Sequence, residues 1–145
     1  MKVEIKLSNE IKEPYAIIFT DHISDEIRKA VEMLENQSNS LITLKKDNEF
    51  SVKSIKEVFM VQVEDNQVTV YDENEKYISN KRLYELEKIL GKDFFRISKS
   101  TIINIKEIDC VNPLFKGIMY VKMKNGLETS ISRKYLPNFK KNLGL

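Results

Sequence analysis

The sequence Asp93-Phe94-Phe95-Arg96-Ile97-Ser98-Lys99-Ser100-Thr101-Ile102-Ile103-Asn104 decides how this chain folds. Apolar residues typical of buried strands flank the polar trio Ser98-Lys99-Ser100, which we call the knuckle. Two apolar strands joined by so short a turn predict a hairpin that holds its tip rigidly. The tip presents one ammonium and two hydroxyl groups. Such groups suit phosphate oxygens and base edges better than they suit covalent catalysis.

The composition bounds the class of protein. The chain has 145 residues, of which 41% are hydrophobic and 32% charged, as in a globular domain or two small modules. Its single cysteine, Cys110, excludes an internal disulfide and favours a reducing compartment. No apolar run approaches the ~18–20 residues that span a bilayer, and the alternating start Met1–Leu7 predicts a strand instead of a signal peptide. We therefore expect a cytoplasmic protein.

The net charge of +2 conceals an asymmetry between the two ends of the chain. Residues 91–145 contain eleven Lys and Arg against four Asp and Glu, whereas residues 1–90 contain thirteen against eighteen. The C-terminal third therefore has a charge of +7 and the remainder −5. This split suggests that the C-terminal third faces a polyanion, although a solvated basic surface would explain it as well.

The first forty residues predict a short extension. Val3–Leu7 alternates like a strand, and Tyr15–Phe19 is a second apolar run that follows a proline. Apolar residues near helical spacing predict a helix over 24–36. The polar, unpatterned stretch 36–40 is the best candidate for a boundary. We therefore predict a strand-strand-helix extension over 1–40 and a separate domain over 41–145.

The second segment predicts a mostly β (α+β) domain. Short apolar runs separated by polar turns predict strands at Leu41–Lys45, Glu49–Val52, Val58–Val63, Gln67–Tyr71, Lys76–Ser79, Phe94–Ile97, Thr101–Ile103, Ile108–Val111, Gly117–Met123 and Glu128–Ser132. A helix is predicted over Lys81–Leu90, and a closing helix over Arg133–Asn142 that Pro137 interrupts early. Asn125-Gly126 predicts a hairpin with a type I′ turn.

Several of these elements, in this order, resemble a known family. They are the strand Val58–Glu64, the helix with Leu83, Leu86 and Leu90, the knuckle and its flanks, the Lys124-Asn125-Gly126 hairpin and Ser132-Arg133-Lys134-Tyr135. Together, residues 41 to about 143 resemble a LytTR-type DNA-binding domain of bacterial transcription factors. The chain departs from the family at Ser98, where members usually have His or another polar residue.

The resemblance implies an elongated β-sheet sandwich with a mid-domain helix and a C-terminal helix, which contacts DNA through loops. By position, the matching loops are Asp65-Asn66-Gln67, the knuckle and Ser132-Arg133-Lys134. The DNA-contacting residues implied are Asn66, Gln67, Ser98, Lys99, Ser100, Arg133 and Lys134. Of these, Asn66, Lys99 and Arg133 are expected at bases or in a groove, and Ser98, Ser100 and Lys134 at phosphates.

The chemistry of these side chains agrees with those roles. An arginine such as Arg133 can donate two hydrogen bonds to guanine, and each such pair is worth about 1–3 kcal/mol of discrimination. Lys99 offers a mobile cation on a rigid turn. Asn66 can pair with an adenine edge, or it can simply be a turn residue that tolerates left-handed backbone.

The resemblance also implies partners. A receiver domain needs roughly 100–150 residues, so the 1–40 extension is too short for one and the chain resembles the stand-alone form. Such members bind double-stranded DNA, generally as a pair of copies on directly repeated half-sites, which makes a homodimer the expectation. They are often encoded beside a small membrane protein, a further implied partner. The extension either completes the core or forms a dimer interface, and the sequence leaves both open.

Enzymatic readings have little support. His22 and Cys110 cannot by themselves assemble a metal site, and Ser98 and Ser100 lack a neighbouring base. We expect no cofactor, a solvent-exposed His22 and a buried, inert Cys110. The alternative to DNA binding is a protein-interaction module that has kept the fold and lost the DNA site.

Overall fold

The computed structural model describes residues 1–35, 41–113 and 115–145. It divides the chain into two compact units, Met1–Leu34 and Glu35–Leu145. The predicted boundary at 36–40 lies outside the described residues. No helix in the described part of the chain is long and apolar enough to cross a membrane.

The helix α1 (Asp25–Glu35), of which all but the last residue lies in the first unit, confirms the predicted helix. Ser24 caps its start, because the Ser24 Oγ accepts a hydrogen bond from the Ile27 amide at 3.3 Å. The two strands predicted at Val3–Leu7 and Tyr15–Phe19 are wrong, since neither segment is assigned to a strand. An alternating apolar pattern makes a strand only where a neighbouring backbone takes its N–H and C=O groups.

The second unit contains ten strands and two helices among its described residues. The strands are β1 (Leu41–Lys46), β2 (Glu49–Ser54), β3 (Met60–Glu64), β4 (Gln67–Tyr71), β5 (Lys76–Ser79), β6 (Phe94–Arg96), β7 (Thr101–Asn104), β8 (Ile108–Pro113), β9 (Met119–Met123) and β10 (Glu128–Ile131). The helices are α2 (Leu83–Leu90) and α3 (Leu136–Leu143). Short 3-10 helices lie at Ile55–Glu57, Ile105–Glu107 and Phe115–Gly117. The mostly β prediction is therefore confirmed.

The strands form two antiparallel sheets. Seven strands make the larger sheet in the order β2-β1-β5-β4-β3-β7-β6, and β10-β9-β8 make the smaller one. The pairing of β3 with β7 places Val61 opposite Ile102 and Met60 opposite Ile103. Because side chains alternate along a strand, these two pairs lie on opposite faces of the larger sheet.

Each face of the larger sheet contributes to its own core. The first core combines Val61 and Ile102 with the apolar side of α2, namely Leu83, Leu86 and Leu90. The second core contains Phe59, Met60, Ile97, Ile103, Val121, Met123, Ile131 and Phe139, and so joins the larger sheet to the smaller sheet and to α3. Layers on both faces explain why all four residues of β7 are buried.

Two local predictions need correction. At the Asn125-Gly126 hairpin only Gly126 has a positive φ, and its amide bonds to the Met123 carbonyl at 2.9 Å. The loop is thus a type I turn followed by a left-handed residue, not the predicted type I′ turn. The closing helix begins at Leu136 instead of Arg133, and Pro137 lies in its first turn, where a missing N–H costs nothing.

Asn104, the last residue of β7, has a buried side chain that joins the end of β7 to the segment that leads into β3. Its Nδ2 donates to the Val58 carbonyl at 2.9 Å, and its Oδ1 accepts from the Lys106 amide at 3.0 Å. The Asn104 amide also donates to the Phe59 carbonyl at 2.9 Å. A residue only 3% exposed therefore satisfies backbone groups from two separate segments.

Replacing Asn104 by alanine should lower the free energy of unfolding by about 1–3 kcal/mol, because a buried carbonyl loses its donor. Urea denaturation of the full chain measures this. The matched control is Asn74→Ala, at an exposed turn position, which should change stability by less than about 0.5 kcal/mol. Equal losses in both variants would contradict the role of Asn104.

Asp72 organises the turn between β4 and β5. Its Oδ1 accepts hydrogen bonds from the amides of Asn74 and Glu75 at 2.9 and 2.7 Å. Burial alone would raise the pKa of this carboxyl, but the two amides, the Tyr77 hydroxyl and nearby Lys53 outweigh it and lower the pKa below the usual value.

This lowered pKa predicts a pH dependence of stability. A carboxyl with a depressed pKa in the folded state stabilises the fold above its unfolded pKa, and that contribution is lost as the pH falls through the folded value. Asp72→Asn should therefore flatten the decline of unfolding free energy between about pH 5 and 2. Urea titrations of both proteins across this range test it, and parallel curves would refute it.

Candidate nucleic-acid interface

Two backbone hydrogen bonds bring three separate loops together. The Val63 amide, two residues before the β3–β4 turn, donates to the Ser100 carbonyl of the knuckle at 2.8 Å. The Ser132 amide donates to the Ile97 carbonyl, also at 2.8 Å. The three loops that the sequence singled out are therefore neighbours along one edge of the fold.

The knuckle is a closed turn between β6 and β7. The Ile97 amide donates to the Thr101 carbonyl at 3.0 Å, and the Ser100 amide donates to the Ser98 Oγ at 3.2 Å. The two serine hydroxyls lie 3.4 Å apart and are half-buried, whereas Lys99 is exposed. The hydroxyls thus help to shape the turn, and the cation projects from it.

Arg96 stabilises the knuckle by binding two of its carbonyl groups, a role that the sequence did not predict. Its Nε donates to the Ser98 carbonyl at 3.1 Å and its Nη2 to the Lys99 carbonyl at 2.5 Å. Its Nη1 donates to the Glu87 carboxylate of α2 at 2.9 Å. A planar guanidinium can bind three acceptors in fixed directions, which a lysine cannot do. An arginine at the end of an apolar strand, just before a polar turn, was the available signal.

The β3–β4 turn consists of Asp65 and Asn66, with φ angles of 49° and 61°. Two consecutive left-handed residues between paired Glu64 and Gln67 define a type I′ hairpin. The backbone therefore explains Asn66 as a turn residue. Its side chain is nevertheless exposed, as is that of Gln67, so both remain accessible to a ligand.

An open groove of about 580 Å³ adjoins this turn. One side is lined by Asn66 of the β3–β4 turn, Gln67 of β4 and Arg96 of β6. The other side is lined by Lys81 and Arg82, from the segment that leads into α2. The side chains of Lys81 and Arg82 are exposed. The predicted helix over Lys81–Leu90 is two residues too long at its start, since α2 begins at Leu83, and the sequence pattern indicated no binding role for Lys81 or Arg82.

The third loop is the turn that precedes α3. The Ser132 carbonyl accepts hydrogen bonds from the amides of Tyr135 and Leu136 at 3.0 and 3.1 Å. Because the helix starts only after this turn, Arg133 and Lys134 are exposed on the loop. The Lys134 Nζ lies 5.5 Å from the Tyr135 ring centroid, a cation–π contact that restrains it.

The residues considered for other chemistry lie elsewhere in the fold. His22 is exposed, as predicted, and its Nδ1 is 2.6 Å from the Asp21 carboxylate. Cys110 is half-buried and accepts a hydrogen bond from Asn112 at 3.6 Å, so the prediction of a buried thiol is wrong. Across the residues that the structure describes, no three His, Cys, Asp or Glu side chains are grouped so as to hold a metal ion.

Comparison with known proteins agrees with this geometry. The model of the LytTr DNA-binding domain family matches residues 48–144, which include all three loops. The chain belongs to the LytTr family. A solved LytTr DNA-binding domain from Bacillus cereus has the same fold, with a TM-score of 0.70 and 28% sequence identity, over 73% of this chain and 98% of that one.

Whole-length relatives are also found. An uncharacterized HTH-type transcriptional regulator of Staphylococcus aureus strain MSSA476 is 29% identical over 147 residues, covering 100% of this chain and 99% of that protein. A protein of the same description from the bovine strain RF122 is 30% identical over 150 residues, with the same coverage. In the described part of this chain five strands lie between α2 and α3, so these two helices are not consecutive and do not form a helix-turn-helix pair.

The position of Arg96 in this LytTr domain predicts a local effect on the knuckle. Arg96→Ala removes two charge-assisted hydrogen bonds to the knuckle, so exchange of the Ile97 and Ser100 amides, which close the turn, should accelerate by roughly tenfold or more. Hydrogen-exchange NMR measures this. Lys99→Ala, which leaves the Arg96 bonds in place, is the control and should keep the native rates. Unchanged exchange in Arg96→Ala would refute the clamp.

Proposed function

We propose that this chain is a transcriptional regulator that binds specific sequences in double-stranded DNA through its three neighbouring loops. The observation that supports the proposal most directly is the pair of backbone hydrogen bonds at Val63 and Ser132, which align the loops. Loops fixed to a rigid double-sheet scaffold can enter a groove without a large ordering cost.

Each loop supplies a group suited to a base. Arg133 is proposed to donate a bidentate pair to guanine, and Lys99 to approach guanine or a phosphate from the knuckle. Asn66 is proposed to pair with an adenine edge, because its exposed amide projects from a turn that its backbone stabilises.

The remaining polar groups are proposed to position the duplex. Lys134, Ser98 and Ser100 would bind phosphates, and Gln67 would contact the backbone beside Asn66. The groove adds Lys81 and Arg82, two exposed cations that extend the positive surface past the first loop. Phosphate contacts of this kind supply affinity that does not depend on sequence.

The proposal extends to the assembly and its setting. We propose that two copies bind repeated half-sites as a homodimer in the bacterial cytoplasm, and that a small membrane protein is a further partner. Family resemblance supports these points. The full-length similarity to proteins described as transcriptional regulators of Staphylococcus aureus supports the regulatory role.

Selection from a random duplex library should enrich one sequence, and variants should then lose affinity for it in different ways. Arg133→Ala should weaken binding by about 1–3 kcal/mol and relax the preference at one base pair. Lys99→Ala should weaken binding too and, if its contact is a phosphate, lower the slope of log K against log salt by about one.

The control is Lys56→Ala, an exposed lysine beyond the other end of β3, which should leave affinity unchanged. Fluorescence anisotropy at several salt concentrations measures all three variants. Failure to enrich any sequence would overturn the proposal and favour the protein-interaction module. Equal losses in all three variants would show that the loops have no special part in binding.

A further inference from the structure

Within the part of the chain that the structure describes, the outer strand of the larger sheet has a hydrogen-bonding edge with no partner strand. Among the described strands, β2 pairs with β1 alone and ends the sheet. Lys46 and Glu49 flank a two-residue turn and face each other, so they form the hydrogen-bonded pair at the end of the hairpin. Because such pairs alternate, Ser51 and Lys53 also bond to β1. The amides of Phe50 and Val52 then point outward.

The next amide confirms this alternation. Ser54 donates its N–H to the Glu57 carboxylate at 3.0 Å instead of to β1, as expected for an outward-pointing group. The outward groups of Phe50 and Val52 therefore form a short template on which another strand can pair.

The side chains of this edge are apolar on one face and charged on the other. Phe50 is 73% exposed and Val52 is 60% exposed, on the same face of the sheet as exposed Leu41 and Ile78. Glu49, Ser51 and Lys53 alternate with them and occupy the opposite face. Exposed apolar side chains beside a free edge indicate an interaction surface.

We infer that the β2 edge pairs antiparallel with the β2 edge of a second copy, about a twofold axis through Ser51. In this register the outward groups of Phe50 meet those of Val52 in the partner. On one face each phenyl ring lies opposite an isopropyl group, and on the other each Glu49 lies opposite a Lys53. The twofold axis repeats both pairs, as an isologous interface requires.

Neighbouring registers lack this match. A twofold axis at Phe50 would place Ser51 opposite Glu49, and an axis at Val52 would place Ser51 opposite Lys53. Either axis would remove the Glu49–Lys53 ion pair. The Lys53 Nζ lies 3.7 Å from Asp72, and its side chain keeps 29% of its surface exposed, so it can reach a second carboxylate. The chemistry of the strand therefore favours a copy of itself, in one register.

The inference deepens the homodimer in the proposed function, and complementary substitutions test its register. Phe50→Lys and Val52→Glu should each weaken self-association of the full chain by roughly tenfold, since each places a charge opposite an apolar group at two symmetric positions. An equimolar mixture of the two variants should form a heterodimer more tightly than either forms a homodimer. In the mixture one introduced ammonium faces one introduced carboxylate, and the other Phe50–Val52 pair is native.

Sedimentation equilibrium over a range of concentrations measures the association constants. Leu41→Lys is the matched control: it removes an exposed apolar side chain from the same face, one strand in from the edge, and should leave association unchanged. All three changes lie at exposed positions, and circular dichroism checks that each variant is folded.

A native chain that stays monomeric at every concentration would overturn the inference. So would a dimer that survives Phe50→Lys and Val52→Glu, or a mixture no tighter than its components. Binding to a single half-site duplex separates this result from the DNA proposal, because the edge variants should keep that affinity while losing the dimer.

Discussion

The pairing of β3 with β7 is the constraint on which the other parts of the domain depend. Val61 and Ile102 face one core, and Met60 and Ile103 face the other, so this pair of strands holds both hydrophobic layers together. A shift of one residue would send each side chain to the wrong face. The buried side chain of Asn104 secures one end of the pair by binding the Val58 carbonyl. The knuckle forms at the other end, where the Ser100 carbonyl accepts from Val63.

The candidate interface follows from this arrangement because the central strands are packed on both faces, which leaves their connecting turns accessible to a ligand. Backbone hydrogen bonds at Val63 and Ser132 hold the knuckle and the 132–135 turn at one edge of the fold. Arg96 adds three hydrogen bonds, two to the knuckle and one to α2. The cations proposed to face DNA are not part of this scaffold. Lys99 and Arg133 are exposed, whereas the cation that shapes the site, Arg96, is half-buried and neutralised by Glu87. Structural and ligand-facing charges are thus separate.

Much of the fold could be predicted because its strands are short, apolar and separated by polar turns. Two strands of the larger sheet, β4 and β5, were located to the residue, and the bounds of its other strands differ from the prediction by one or two residues. The same rule failed for Val3–Leu7, since alternation shows that a segment can be a strand and not that a partner backbone is present. Turn types were also less predictable: Asp65-Asn66 adopted the type I′ geometry that had been expected of Asn125-Gly126. Both pairs tolerate positive φ, and the adjoining strand register decides between the forms.

The sequence by itself determined the family, the mostly β class and the three loops, because these depend on the local order of apolar and polar residues. Only the tertiary structure decided that the loops are neighbours, since the contacts at Val63 and Ser132 join residues far apart in the chain. It also assigned Arg96 to the scaffold and left Phe50 and Val52 on an open edge. Long-range hydrogen bonds and strand order depend on which segments meet in space, and no local pattern specifies that.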